Sequence, residues 1–205
     1  RNGHYDATTE GAVVAAEVGR LFDNLEAVDA LGETLRWLPV ERFDFELGRL
    51  VDAEVMVPDG HDLTAQIRWV AGRIEDADRV RSVATWVSSE ILEALVESTI
   101  EGGCAFEGVV AGHVVEYVRD EPPLRESVRA LLEADRAVLY RYDGDEAALT
   151  MSIYPDGVLL CGQRDARSFP EAVATTDEAV VSWAGAHYES LRAESERLDA
   201  DAFTP

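Results

Sequence analysis

Residues 79–110 read RVRSVATWVSSEILEALVESTIEGGCAFEGVV, and this stretch decides the fold. It predicts a strand over Arg79 to Trp86, a helix capped by Ser88, and a second strand over Ala105 to Val110. The helix is expected to end at Gly102-Gly103, because glycine accepts the left-handed conformation that stops a helix. The alternation of strand and helix predicts an α/β domain with a largely parallel sheet.

The same alternation continues on both sides of this stretch. We predict strands at 53–57 and 137–142, a helix over 61–77, and another that opens at Pro122-Pro123. Further along, Pro155-Asp156-Gly157 lies between predicted strands at 147–153 and 158–161, which predicts an antiparallel hairpin. Thr176-Asp177-Glu178 then caps a closing helix, whose inward side chains are Val180, Trp183, His187 and Leu191. No repeat or linker interrupts residues 39–205, so they are interpreted as one effector-binding or regulatory domain.

Residues 11–38 carry a helical pattern that ends at Pro39. Apolar side chains recur at alternating steps of four and three, with Gly32 in the one gap, at Val14, Val18, Leu21, Leu25, Val28 and Leu35. A heptad seam of this kind predicts a linker helix that pairs with a second copy as a coiled coil. The alternative is that these apolar side chains pack on their own domain. Three heptads are too few to distinguish the 3.5-residue period of a coiled coil from the 3.6-residue period of a single helix.

Residues 1–10 begin with an Asn-Gly pair, which predicts a hairpin turn followed by a short strand. The sequence Tyr5-Asp6-Ala7-Thr8-Thr9 before Gly11 resembles the end of the wing in winged-helix DNA-binding domains. On that resemblance Arg1 and His4 are weak DNA contacts, and the recognition helix is expected upstream of Arg1, because the chain starts without methionine. A frayed terminal hairpin is the alternative.

The composition indicates an environment rather than a substrate. Forty-one Asp and Glu face 18 basic residues, all of them arginine, which gives a net charge of -23. Molar salt shortens the Debye length to about 3 Å and screens such self-repulsion. The acidic, lysine-free surface resembles the proteins of extreme halophiles, and on that resemblance we expect a haloarchaeal protein.

Nothing in the sequence predicts a membrane span or an export signal, so we expect a cytoplasmic protein. The two cysteines, Cys104 and Cys161, sit in apolar runs and are interpreted as buried hydrophobic residues, with a thiol sensor as the alternative. The four histidines are widely spaced and form no metal-ligand pattern. No cofactor or metal is therefore expected.

The order of these elements is similar to the C-terminal regulatory domain of archaeal winged-helix regulators of the FilR kind, which are related to the sugar-sensing TrmB regulators. The resemblance runs from the wing remnant through Arg36-Trp37-Leu38-Pro39 and Asp52-Ala53-Glu54-Val55 to Trp183-Ala184, Tyr188 and Arg192-Ala193-Glu194 in the last helix. It implies a fold related to one half of a phospholipase D enzyme. It also implies a homodimer that responds to a small-molecule effector.

Phospholipase D chemistry fails a local test. It needs a nucleophilic histidine and a phosphate-binding lysine seven and five residues before an aspartate. If Asp156 is that aspartate, the two positions hold Leu149 and Met151, which cannot attack or bind a phosphoryl group. We therefore expect no enzyme of this kind and interpret Asp156 as a turn residue.

Candidate effector contacts lie at the carboxyl ends of the predicted strands, where open α/β sheets bind ligands. They are Thr85, Ser88, Ser89, His113, Tyr142, Gln163 and Arg164. A capped helix N-terminus after Ser88 suits an anion or a hydroxyl, and an arginine suits a carboxylate or phosphate. Ordinary loop residues are the alternative for each position.

The sequence thus predicts the regulatory and dimerisation part of a DNA-binding transcriptional regulator. DNA contact is expected from a segment upstream of Arg1, because the acidic chain has no basic stripe for phosphate contacts. Two other functions stay open: a hydrolase or transferase on the same scaffold, and a coiled-coil scaffold that holds a partner. A cleft with pKa-shifted groups favours the enzyme, and an unbroken apolar seam without a cleft favours the scaffold.

Overall fold

The computed structural model describes residues 8–58, 65–144, 149–162 and 170–204. Predictions that involve Arg1, His4, Gln163 or Arg164 lie outside these ranges, as do the wing strand and the first residues of the predicted helix at 61–77. The helices are α1 (Thr9–Leu31), α2 (Ala65–Glu75), α3 (Ser89–Ile100), α4 (Gly112–Asp120), α5 (Pro122–Glu133) and α6 (Glu178–Ala193). The strands are β1 (Glu54–Met56), β2 (Arg79–Ala84), β3 (Ala105–Ala111), β4 (Ala137–Tyr142), β5 (Thr150–Tyr154), β6 (Gly157–Gly162), β7 (Glu171–Thr175) and β8 (Glu196–Leu198).

One eight-stranded sheet has the order β1-β7-β6-β5-β2-β3-β4-β8. The α/β class, the long N-terminal helix and the antiparallel hairpin of β5 and β6 are confirmed. Parallel pairing is less extensive than predicted, since it joins only β2 to β3 and β3 to β4 among the described strands. The remaining pairs are antiparallel, because β5 returns beside β2 and the later strands extend the sheet from there.

The sheet is covered on both faces. On one face, here called the helix side, α2 to α5 pack over Val80, Phe106 and Leu139. On the opposite face, α6 packs over Val83 and Val109, together with the segment that follows α1. The alternation of side chains along each strand places successive residues in these two cores. The predicted inward positions of α6 are confirmed as buried for Val180, Trp183 and Leu191, whereas His187 is half-buried and stacks on the Trp183 ring.

The N-terminal helix is shorter than the predicted 11–38. Thr8 caps it, and its hydroxyl accepts a hydrogen bond from the Gly11 N–H at 3.1 Å. The helix ends at Leu31 because Gly32 takes a φ of 52°, a left-handed value that breaks the α-helical path. A 3-10 helix over Gly32–Arg36 follows, so Leu35 leaves the predicted seam and packs in its own domain's core.

The other predicted helix signals near the sheet agree with the structure. Ser88 is the N-cap of α3, and Gly103 adopts a φ of 77° just beyond the end of that helix. Three elements were not predicted: α4, β7 and β8. The short helix α4 starts directly from β3 without a side-chain cap, which removes the sequence signal that marks most helix starts.

Candidate functional site

The carboxyl ends of β2, β3 and β4 meet at one edge of the sheet, as parallel strands must. The amino end of β5 lies at the same edge, since β5 runs antiparallel to β2. This edge therefore contains Thr85, His113 and Thr150, and it is the place where the sequence predicts an effector site.

A hydrogen-bonded cluster joins three elements at this edge. The hydroxyls of Thr85 and Thr150 lie 2.7 Å apart, and the Thr85 N–H donates to the Thr150 hydroxyl at 3.0 Å. The Nε2 atom of His113, in the first turn of α4, is 2.9 Å from the Thr85 carbonyl oxygen. The structure thus brings Thr85 and His113 together as predicted. Their polar atoms contact one another and hold α4 and β5 against the end of β2.

The N-terminus of α3 is already occupied by its own side chains. The Ser88 hydroxyl accepts a hydrogen bond from the Ile91 N–H at 3.2 Å, and the Ser89 hydroxyl donates to Glu90 at 3.2 Å. Hydrogen bonds from the Glu90 backbone and from Ser89 hold the pKa of the Glu90 carboxyl below its usual range. An anionic effector at this helix end would meet a carboxylate, so Ser88 and Ser89 serve the helix rather than an anion.

Tyr142 lies away from this cluster. Its side chain is buried in the core under α6, on the opposite face of the sheet from α3 and α4. The strand end beside it carries a charged network instead, in which the Arg141 guanidinium binds Asp143 at 2.9 Å and also contacts Glu116 of α4. The hydrogen bonds from Arg141 lower the pKa of both carboxyls, and Asp143 and Glu116 raise the pKa of Arg141.

A cavity lies on the helix side of the sheet, next to the hydrogen-bonded cluster of Thr85, Thr150 and His113, here called the threonine cluster. We call it the helix-side cavity; its volume is about 100 Å³, and side chains from α2 to α5 and from the central strands surround it. Apart from Cys161, none of the described residues that line it has an ionisable side chain. Its polar groups are the hydroxyls of Ser82, Thr150 and Ser152 and the indole of Trp86. This cavity was not predicted from the sequence, although serine and alanine in central strands are a signal that space is left beside them.

A second cavity of about 670 Å³ lies at the other edge of the sheet, beside the β5–β6 turn. Its lining includes Arg73 and five acidic residues, Asp52, Glu54, Asp76, Asp78 and Asp156. The described part of the chain contains no group of three or more His, Cys, Asp or Glu that could hold a metal ion. Asp156 lies in the turn between the two strands, where the sequence places it.

The positions that would carry phospholipase D chemistry are part of the core. Leu149 is 3 % exposed and Met151 is 0 % exposed, and both pack in the cluster under α6. Both cysteines are buried as predicted, and burial raises the pKa of the Cys104 thiol. Neither observation points to a reactive group.

A buried carboxylate, which was not predicted from the sequence, connects the end of the N-terminal helix to the sheet. Glu171, the first residue of β7, is 1 % exposed, and its Oε2 accepts hydrogen bonds from the Thr34 hydroxyl at 3.1 Å and the Trp37 indole at 3.0 Å. The Trp37 ring packs directly on Gly162, where a methyl group would overlap it. We call these four residues the linker junction.

Residues 65–194 match the family model described as "Methanogenesis regulatory protein FilR1, middle domain". The chain belongs to this family. The FilR-type regulatory domain predicted from the sequence is thereby confirmed. The family description places it in the middle of FilR1, whereas the sequence resemblance placed it at the C-terminus of the regulator. No curated protein sequence matches the chain.

Solved structures support the fold of this FilR1-family chain. NucT from Helicobacter pylori superposes with a TM-score of 0.58 at 12 % identity, over 72 % of this chain and 99 % of that one. Nuc, a phospholipase D family member from Salmonella typhimurium, gives 0.57 at 12 % identity, over 72 % and 98 %. TrmBL2, an archaeal chromatin protein with a novel mode of DNA binding, gives 0.54 at 12 % identity, over 90 % and 68 %. At this identity the similarities show a shared phospholipase-D-like and TrmB-like fold.

Within the described ranges, no helix is both long and apolar enough to cross a membrane. The predicted cytoplasmic location stays a prediction.

Proposed function

We propose that this chain is the regulatory and dimerisation part of a DNA-binding transcriptional regulator from a halophilic archaeon. The observation that carries the proposal is the match of residues 65–194 to the FilR1 middle domain. The fold shared with TrmBL2 over 90 % of this chain adds support, because that protein is described as DNA-binding. An effector site at the carboxyl edge of β2 to β4 completes the proposal.

Dimerisation is assigned to α1. Five of the six predicted seam residues are between 45 % and 62 % exposed, namely Val14, Val18, Leu21, Leu25 and Val28, and Val13 and Phe22 beside them are 58 % exposed. The helix buries only Ala27 and Leu31 against its own domain. A contiguous apolar face of this size on a highly charged protein favours a second copy as its partner, since isolated exposed hydrophobic residues are common but such patches are not.

DNA contact is assigned to a segment upstream of Arg1, which carries the winged helix in this proposal. A surface with a net charge of -23 repels phosphates, and its arginines are largely engaged by neighbouring carboxylates, as in the pairs of Arg73 with Glu54 and Arg192 with Glu189. The same acidity supports a salt-rich cytoplasm, where screening removes the self-repulsion.

We also propose that the domain is not a phosphodiesterase. Leu149 and Met151 fill the core where a nucleophile and a phosphate-binding cation are needed. The threonine cluster contains no acid–base pair. The hydroxyls of Thr85 and Thr150 bond to each other, and the His113 ring bonds to the Thr85 carbonyl oxygen.

The dimer is tested by measuring the mass of the chain in solution by light scattering in molar KCl. The double substitution Leu21→Asp and Leu25→Asp is expected to convert a dimer into a monomer, because it places four carboxylates in the pairing face. The matched control is Val40→Asp with Val57→Asp, which changes two residues of similar exposure away from α1 and leaves the mass unchanged. A parent chain that is monomeric, or a doubly charged variant that keeps the dimer mass, contradicts the assignment.

The regulator role has a separate test. Chromatin immunoprecipitation of the natural protein, in the organism that encodes it, is expected to enrich a limited set of promoter regions. Uniform recovery of genomic DNA would remove the transcriptional part of the proposal and leave an acidic dimer of the FilR1 family.

A further inference from the structure

We propose that the helix-side cavity binds a small, uncharged, largely hydrocarbon molecule that carries one hydrogen-bond acceptor. This deepens the effector part of the proposed function, and its regulatory meaning rests on that function. The ligand class follows from the lining, the volume and one polar group of the cavity.

The lining excludes charged and polyhydroxylated ligands. Valine, leucine, isoleucine and phenylalanine dominate it, and among the described residues no Asp, Glu, Arg or His lines it, even though 29 % of the chain is charged. An ion placed there would lose its hydration without gaining a partner of opposite charge among the described lining residues. A sugar would need several donors and acceptors, whereas the cavity offers three hydroxyls that belong to Ser82, Thr150 and Ser152. A sugar therefore does not suit this cavity.

The volume limits the size of the ligand. The cavity measures about 100 Å³. Apolar protein cavities of about 150 Å³ stay dry and bind benzene, so a space of this order takes a molecule with about five or six non-hydrogen atoms. Its position between strands and the four helices of the helix side lets a larger homologue enter only if those helices move apart.

One unpaired donor in the cavity is the reason to expect a hydrogen-bond acceptor on the ligand. The indole N–H of Trp86 is buried and has no hydrogen-bond partner among the described residues, while Trp86 itself lines the cavity. An unsatisfied buried donor is costly, and a ligand oxygen near it would remove that cost. The Thr150 hydroxyl, which also lines the cavity, is already paired with that of Thr85.

The cavity also lies close to the linker junction. Cys161 of β6 lines the cavity on the helix side, and the next residue, Gly162, contacts the Trp37 ring on the opposite face. A ligand that displaces Cys161 therefore moves the backbone on which Trp37 rests. This gives the bound molecule a short mechanical path to α1 through the sheet.

The test is a titration of the chain in molar KCl with 2-butanone, benzene, acetate and glucose, followed by methyl and indole N–H signals in NMR spectra. Benzene and 2-butanone are expected to shift the methyl signals of Val114 and Leu131 at millimolar concentration, and acetate and glucose to leave them unchanged. Of the two apolar probes, only 2-butanone is expected to shift the Trp86 indole proton downfield, because its carbonyl oxygen accepts a hydrogen bond from the N–H and benzene has no such oxygen.

The variant Trp86→Phe keeps a ring but removes the N–H. We expect it to weaken 2-butanone binding about tenfold, the effect of one lost hydrogen bond, and to leave benzene binding within twofold. The control is Trp69→Phe, whose indole N–H already donates to Glu54 at 3.1 Å and which does not line the cavity.

Absence of methyl shifts with both apolar probes overturns the proposal, as does binding of acetate or glucose at the same signals. Equal loss of both probes in Trp86→Phe overturns the assigned acceptor contact. These readouts require neither DNA nor a dimer. The proposed ligand class can therefore be refuted while the regulator role stands, and the regulator role can be refuted while the ligand class stands.

Discussion

Replacing Thr34 by valine removes one hydrogen-bond donor from a buried carboxylate without changing the shape of the side chain. Thr34 and Glu171 are each 1 % exposed, and the Thr34 hydroxyl lies 3.1 Å from the Glu171 Oε2. A hydrogen bond to a charged group contributes about 1.5–3 kcal/mol, and its loss inside the core cannot be replaced by water. Thr34→Val is therefore expected to lower the free energy of unfolding by about 1.5–3 kcal/mol.

The assay is urea unfolding in molar KCl, followed by circular dichroism, with an unchanged dependence of the free energy on denaturant. Thr176→Val is the control, because Thr176 is exposed. Trp37→Phe removes the second donor, and the double variant measures the coupling between the two bonds. A loss below about 0.5 kcal/mol for Thr34→Val would refute the reasoning, since surface substitutions have effects of that size.

Three further results are expected. Arg141→Gln should raise the pKa of Asp143 and Glu116 toward ordinary values in a carbon-detected NMR titration. Because Arg141 lowers both pKa values, the stability that the two carboxyls contribute is present above about pH 4 and is lost as the pH falls through the lowered values. Unchanged pKa values in the variant would contradict the network. Ser88→Ala should cost about 1 kcal/mol in urea unfolding through the lost N-cap, and a neutral result would show that Glu90 alone suffices. Neither Cys104 nor Cys161 should react with a soluble disulfide reagent until the chain unfolds, and rapid labelling of the native protein would contradict their burial.

Local signals were sufficient for the centre of the fold. Ser88 and Gly103 bound α3 because capping and the left-handed stop depend on neighbouring residues alone. Gly32 shows the limit of the periodic argument. It fits a gap in a heptad pattern, but its backbone conformation ends the helix, and Leu35 then turns inward. The strands β7 and β8 could not be read in the same way. Strand β8 has three residues and pairs with the distant β4, and β7 lies between β6 and the distant β1.

The candidate site was predicted in part. The rule that strand ends collect at one edge correctly joins Thr85 to His113. It fails for Tyr142 because the rule ignores the face of the sheet: Tyr142 stands three residues after Leu139, and an odd step along a strand points to the other side. The helix-side cavity could not be predicted, because an empty volume depends on how four helices pack together. The linker junction was missed for a similar reason, since Glu171 and Thr34 are 137 residues apart.

The sheet ends on both sides in strands of three residues, and each of these carries charge, at Glu54 in β1 and at Glu196 and Arg197 in β8. Concentrated salt strengthens the burial of apolar surface, which makes an exposed strand edge an aggregation hazard in the environment that the composition indicates. Short, charged edges give another chain little backbone on which to add a strand. We expect this protein to stay free of fibrils and strand-exchanged oligomers at high concentration, so that self-recognition is left to helical surfaces.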